Sequence, residues 1–421
     1  MRSLGGMNKD TPGGDATAGS PQPARTALNV LALCFVLQMV GRGLGDSFTV
    51  FLKPISESFS WDRAEVVSVY SLTWLAGGLM APLVGRLFDR SGPRLTYSLG
   101  LLLLGGSFLV ASRAQALWQF QLSTGLCVGI GISLIGNVPS SILLGRWFGR
   151  RLPTAMAILY SATGVGTLLL LPASQVLIDR IGWRDAYQWF GIVALCMLAP
   201  LLLLPWRTIA AGSPHMPQKA DTSFVDKGWT LKSAMLHHTF WALFATFFFT
   251  AIAMYAITAQ IVAYLIDAGF PPLQAATAWG FSGVVLLFGM LGISALDGII
   301  GRRPSVLFSY GVSIIGIILL WLLQYYPNYW LLMGFVLTFG SMIGSRGPLI
   351  TATALNIFRG KRVGTIYGTI SIGSGLGSGL GSWAGGLIHD WTQGYNALFV
   401  FALVNLVLGL IPFLVVPALR R

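Results

Sequence analysis

GRLFDRSGPR, residues 85–94, is a short charged turn set between two apolar segments. An apolar segment of about 64–85 precedes it, carrying Tyr70, Trp74 and the small pair Gly77 and Gly78, and a second apolar segment with Gly105 and Gly106 follows. Each is near the roughly 20 apolar residues that a membrane-crossing helix needs. An Asp followed by several arginines in a tight turn between two such helices can hold helix ends and a neighbouring helix, latching one conformation.

A related loop, LDGIIGRRP at 296–304, recurs in the second half. At an offset of 209 residues Gly92 meets Gly301, Arg94 meets Arg303, Gly125 meets Gly334, Gly131 meets Gly340 and Pro139 meets Pro348, with Asp297 one residue out of register with Asp89. The chain therefore reads as a tandem repeat of like orientation, with two halves related by an axis along the membrane normal. In such an architecture a ligand binds between the halves near the midplane.

Composition agrees. The 421 residues are 54% hydrophobic and only 10% charged, and the mean hydropathy of +0.72 lies outside the range of soluble domains. Between positions 27 and 418 the sequence divides into about twelve spans, so the fold class is an all-α membrane protein of twelve transmembrane helices in two pseudo-symmetric six-helix halves. Residues 1–26 read as a disordered cytoplasmic tail, 27–206 as the first half, 207–237 as a cytoplasmic linker with a short surface helix at 227–237, and 238–418 as the second half. The net charge of +13 is no sign of nucleic acid, because twenty of the 27 Lys and Arg fall on one set of alternating loops and termini and five on the other. That is the positive-inside rule; it predicts an inner-membrane protein with both termini cytoplasmic. Cys34, Cys127 and Cys196 fall singly in different spans and read as packing residues. No metal-ligand spacing and no Walker-type loop occurs, so neither metal nor cofactor is expected.

Two arginines lie where lipid would forbid them. In GSMIGSRGPLITATALNIF, residues 340–358, Arg346 sits deep inside an apolar run, where a fixed cation costs roughly 2.5–3.5 kcal/mol even on lenient scales. Arg42 lies in the first span on one face with Gln38 and Asp46, each four residues from the next. Two accounts of Arg42 stand at this stage: an ion pair that neutralises itself with Asp46, or an arginine that Asp46 releases to a ligand on taking a proton. Arg346 likewise reads either as a clamp for a carboxylate or as an arginine bonded to helix carbonyls. Asn137 matches Arg346 at the repeat offset, and Tyr255 matches Asp46. Gln260, Tyr264, Trp279, Ser282, Tyr367 and Ser371 are further polar or aromatic candidates, with Gln260 and Tyr367 joining Arg346, Arg42, Asn137 and Tyr255 as the expected substrate-binding set.

Family resemblance enters at the loop. Gly85, Asp89, Arg90, Gly92 and Arg94 match the loop signature of the major facilitator superfamily, with Asp297, Arg302 and Arg303 as the second-half counterpart of this latch. RWFGRRLPTAMAILYSATGVG at 146–166, GWR at 182–184 and SFTVFLKP at 47–54 resemble the branch holding monocarboxylate porters and oxalate/formate antiporters. The resemblance implies transport of small organic anions by proton symport or by exchange with a counter-anion. It departs from that branch at Met290, near where many of its members place an arginine, and in the extra residue and missing arginine of the 296–304 loop. The expected function is thus secondary active transport of a carboxylate by alternating access in a monomer, with Asp46 as the proton-coupling acid; proton-driven efflux of a drug-like amphiphile is the alternative. An intramembrane enzyme is not expected, because no histidine lies well inside any span.

Overall fold

The structure, a computed structural model, describes residues 21–148, 152–212, 229–358 and 363–419. Twelve helical passes run through them. Helix α1 comprises Pro21–Asp46 and Phe48–Phe59. Helices α2 and α3 form the single run Arg63–Ser112, divided at Gly92. Helix α4 is assembled from Leu117–Phe120, Gln121–Cys127, Val128–Ile135 and Asn137–Gly145. Leu152–Cys196, divided at Gly182 and continued by Leu198–Leu203, holds α5 and α6. In the second half α7 is His238–Thr258 with Ile261–Asp267, α8 is Pro272–Ile300 and α9 is Arg302–Leu323. Then come α10 (Tyr329–Phe335, Val336–Gly340 and Arg346–Ile357), α11 (Val363–Thr392) and α12 (Asn396–Val415).

Among the described residues eight helices are long and apolar enough to cross a membrane. Two of them are 50-residue runs that each hold two passes. The broken α10 and the glycine- and serine-rich α11 complete the twelve; α11 falls below the hydropathy of a lipid-facing span because much of it faces other helices and a cavity.

The repeat read from sequence is visible in the backbone. Gly92 (φ 75°, ψ 175°) and Gly301 (φ 85°, ψ 169°) take the same left-handed conformation at the same point of each half, where a Cβ would be strained. Helix α4 breaks at Gly136 before Asn137, and α10 breaks at Ser345 before Arg346, two positions related by the same offset. Each half also has its own apolar core, one centred on residues such as Phe51, Tyr97 and Phe120, the other on Phe240, Phe335 and Phe399.

Some boundaries differ from expectation. Residues 21–26, expected in the disordered tail, are already helical, and residues 1–20 lie outside the described residues. Residues 213–228 of the expected linker also lie outside them, with His215 among these, and the surface helix is the short Leu231–Met235.

The halves meet along two seams. Helix α2 packs on α11, where Gly78 faces Gly375 and Gly386 faces Ala64, and α5 packs on α8, where a Cβ at Gly283 would sit 2.6 Å from the Gly164 carbonyl oxygen. Small residues allow this approach of backbones, which supplies van der Waals contact where lipid offers no hydrophobic drive.

Candidate functional site

Helix α1 runs from the arginine-rich face, here the basic face, towards the opposite face. Its α-helical spacing stacks Gln38, Arg42 and Asp46 on the side turned away from lipid. Arg42 Nη2 donates to Asp46 Oδ2 at 3.3 Å, and Thr167 Oγ1 of α5 donates to the same oxygen at 3.4 Å. Gln38 Nε2 donates to Thr163 Oγ1 at 3.1 Å, also on α5. The guanidinium carbon of Arg42 lies 4.3 Å over the Trp74 ring of α2, and Trp74 meets Tyr255 of α7 edge to face at 4.8 Å. A tryptophan face supplies a favourable quadrupole for a cation at that distance. Asp46 and Tyr255, partners at the repeat offset, thus come from opposite halves to one place.

These groups wall a cavity of about 340 Å³ between the halves. Helices α1, α2, α4, α7 and α11 line it, and among the described residues Arg42 and Asp46 are the only charged ones that do. Asn137, Tyr255 and Tyr367 of the expected set also line it. Tyr367 shares a hydrogen bond of 2.7 Å with Thr351. Gln38 and Trp74 also line it, with Gln38 Oε1 buried and accepting no hydrogen bond from the described residues. Sequence reasoning missed Ser133, Ser374, Ser378 and Phe247 as lining residues. The serines were legible: Ser371, Ser374 and Ser378 fall three and then four residues apart, one helical face.

Arg346 and Gln260 are not among the cavity-lining residues. Arg346 is only 4% exposed and turns to α9, where Nε donates to Ser309 Oγ at 3.0 Å, Nη2 donates to the Ser309 carbonyl at 2.7 Å and to Ser313 Oγ, and the Tyr310 ring lies beneath it. The expected clamp on the cavity wall is therefore not formed in this structure; the contacts are those of an arginine bonded to helix oxygens. The physical reason is that α9 presents serines one turn apart beside an aromatic face, a ready cradle that the apolar wall of α10 lacks. Gln260 is 1% exposed at the break in α7, and its amide has no hydrogen-bond partner. Tyr264 donates to the Leu320 carbonyl at 2.6 Å within the second-half core.

The face opposite the basic one is clasped. Asp267 of α7 takes Lys53 Nζ of α1 at 3.0 Å and the guanidinium of Arg63 of α2, and Tyr395 donates to it at 2.7 Å. Asp390 of α11 accepts from the backbone nitrogens of Arg63, at 3.2 Å, and Ala64, at 2.6 Å. Every one of these bonds except that of Tyr395 joins one half to the other. At the basic face Asp89, Arg90 and Arg94 are exposed, and among the described residues no ion pair ties them to the second half; in the corresponding loop Arg302 Nε approaches Asp297 at 3.9 Å. The cavity lies on the basic-face side of the clasp. Among the described residues no group of His, Cys, Asp or Glu is arranged to hold a metal.

Residues 31–368 and 298–421 match the sequence profile of the Major Facilitator Superfamily. The chain is 28% identical to an uncharacterized MFS-type transporter, YcxA, of Bacillus subtilis over 91% of its length and 95% of the relative's. It is 26% identical to Monocarboxylate transporter 3 of Rattus norvegicus, covering 94% of this chain and 81% of that one, and 25% identical to the Fujikurins efflux protein of Gibberella fujikuroi, covering 78% and 69%. Among solved structures, a bacterial homolog of the human lysosomal transporter Spinster in an inward-facing, occupied conformation superposes with a TM-score of 0.66 at 16% identity over 96% of each chain.

Proposed function

Because the chain belongs to the major facilitator superfamily, we propose that it carries a small organic carboxylate across the membrane together with a proton, by alternating access around the Arg42–Asp46 pair. It is a multi-pass membrane transporter, not an enzyme. The carrying observation is that the only charges on the described cavity wall are paired with each other, 3.3 Å apart.

Charge balance gives the mechanism. With Asp46 ionised, the pair is neutral and Arg42 has no call on an anion. A proton on Asp46 leaves Arg42 uncompensated in a low-dielectric wall, and a carboxylate restores neutrality. Proton and cargo therefore bind together, each raising the affinity for the other as linkage requires. The basic face is the cytoplasmic one on this reading, so the clasped conformation opens the cavity inward. The two halves rock about the glycine seams, and the loops around Asp89 and Asp297 latch the opposite conformation.

The test is a thermal-shift screen of purified protein with mono-, di- and aromatic carboxylates at pH 5.5 and 7.5, followed by uptake of the best binder into proteoliposomes. Carboxylates that stabilise more at the lower pH, in wild type and not in Asp46→Asn, are the expected outcome. A second reading is proton-driven export of an amphiphile, favoured by Phe247, Trp74, Ile132 and Val138 on the wall and by likeness to a protein named for efflux. Stabilisation by bulky neutral compounds and by no carboxylate would select it.

A further inference from the structure

Behind the Arg42–Asp46 pair, on the side towards the clasped face, lies a second and smaller void of about 60 Å³. Arg42, Asp46 and Tyr255 line both spaces, so this layer separates them. The lining shifts consistently: α2 contributes Tyr70 here but residues from Thr73 onwards to the main cavity, and α7 contributes Thr258 here but Phe247 there.

The chemistry of the small void is specific. Thr49, Thr258 and Ser282 line it, and each hydroxyl donates its proton to a backbone carbonyl, of Asp46, Met254 and Trp279 respectively; Thr167 also lines it, its one hydroxyl proton shared between the Thr163 carbonyl and the Asp46 carboxylate. Their oxygen lone pairs are left as acceptors. The Tyr70 side chain, 1% exposed, also lines the void, and its hydroxyl proton is donated to no protein acceptor among the described residues. The wall thus mixes acceptors with the donors of Tyr70, Arg42, Tyr255 and Trp279, and such a wall is complementary to water, which both donates and accepts hydrogen bonds. The space exceeds the ~10–15 Å³ that one water requires and the polar partners exceed the usual 2–4.

We propose that this void is a water chamber, with ordered water accepting from Tyr70 and donating to the threonine oxygens and the Asp46 carboxylate. The chamber rests on the reading of Asp46 as the proton-coupling acid for its importance, and gives that acid a solvated face apart from the cargo cavity. Water there hydrates Asp46 from behind while cargo meets Arg42 from the cavity, and the clasp keeps the chamber closed to the outer face in this conformation.

X-ray hydroxyl-radical footprinting of the full chain in nanodiscs tests it without any cargo, the probe being radicals formed from bound water. Tyr70 is expected to be oxidised promptly despite its burial, while Tyr97, equally buried but outside both voids, stays unmodified. Tyr70 labelled no faster than Tyr97 overturns the proposal, and that comparison needs no variant. In Ser282→Leu, which fills the space, labelling of Tyr70 is expected to be lost; its persistence overturns the proposal as well. Protection of Tyr70 by sodium in place of potassium would reveal an alkali cation in the chamber and would also overturn it. A dry chamber leaves the coupling role of Asp46 to stand or fall by the pH-dependent screen.

Discussion

The guanidinium carbon of Arg346 lies 4.2 Å over the centre of the Tyr310 ring, and the Tyr310 hydroxyl in turn shares a hydrogen bond with Thr250 of α7. A cation that membrane insertion penalises is thus used inside one half, tying α10 to α9 and through Tyr310 to α7. Its Nη1 has no partner, so it is under-satisfied even there.

Arg346→Met is expected to fold, because the serines beneath it keep their bonds to Val306 and Ser309 carbonyls and no counter-charge is orphaned. The substitution removes a desolvated charge that has no acidic partner among the described residues, so it strands no opposite charge in the interior. Melting temperature and carboxylate binding should both match wild type. A folded Arg346→Met that no longer binds carboxylates would place this arginine in the cavity during another step of the cycle.

Arg42→Gln removes the one cation that the described residues place on the cavity wall. Each hydrogen bond to a charged group contributes about 1.5–3 kcal/mol, so loss of a bidentate contact should weaken carboxylate binding by ~100-fold or more. Isothermal titration with the best carboxylate from the screen measures it; an unchanged affinity would sink the charge-balance mechanism.

Asp46→Asn mimics the protonated acid. Carboxylate affinity should become high and independent of pH, counterflow exchange should persist, and accumulation driven by a pH gradient should vanish. Gradient-driven accumulation surviving in this variant would mean that the proton travels by another group.

Asp267→Asn loosens the clasp. Its pairs with Lys53 and Arg63 are partly exposed, worth about 0.2–1 kcal/mol each, so together roughly 0.4–2 kcal/mol and a ~2–30-fold shift between conformations. Spin labels at Glu57→Cys and Thr392→Cys, read by pulsed dipolar spectroscopy, should show a longer-distance population in this variant. Identical distance distributions would remove the clasp from the cycle.

Gly283→Val forces a side chain against the Gly164 backbone. Overpacking of this kind costs about 1–3 kcal/mol, and a lowered melting temperature is expected. An unchanged melting temperature would mean that the α5–α8 seam is slack.

What the residues alone determined is the architecture and the side of α1 that matters. Hydropathy, the asymmetry of Lys and Arg and the 209-residue offset are one-dimensional signals, and a bilayer translates them directly into spans and a repeat. Gln38, Arg42 and Asp46 were equally legible, because helical spacing alone puts them on one face and lipid excludes that face. The paths of the long side chains belong to the fold. Asn137 and Arg346 occupy matching positions, yet Asn137 lines the cavity while Arg346, whose flexible stem can reach either way, went to the serines and ring that α9 holds beside it. The clasp at Asp267 and the void behind Asp46 join residues more than a hundred positions apart, and only the packing of one half on the other brings such groups within bonding distance.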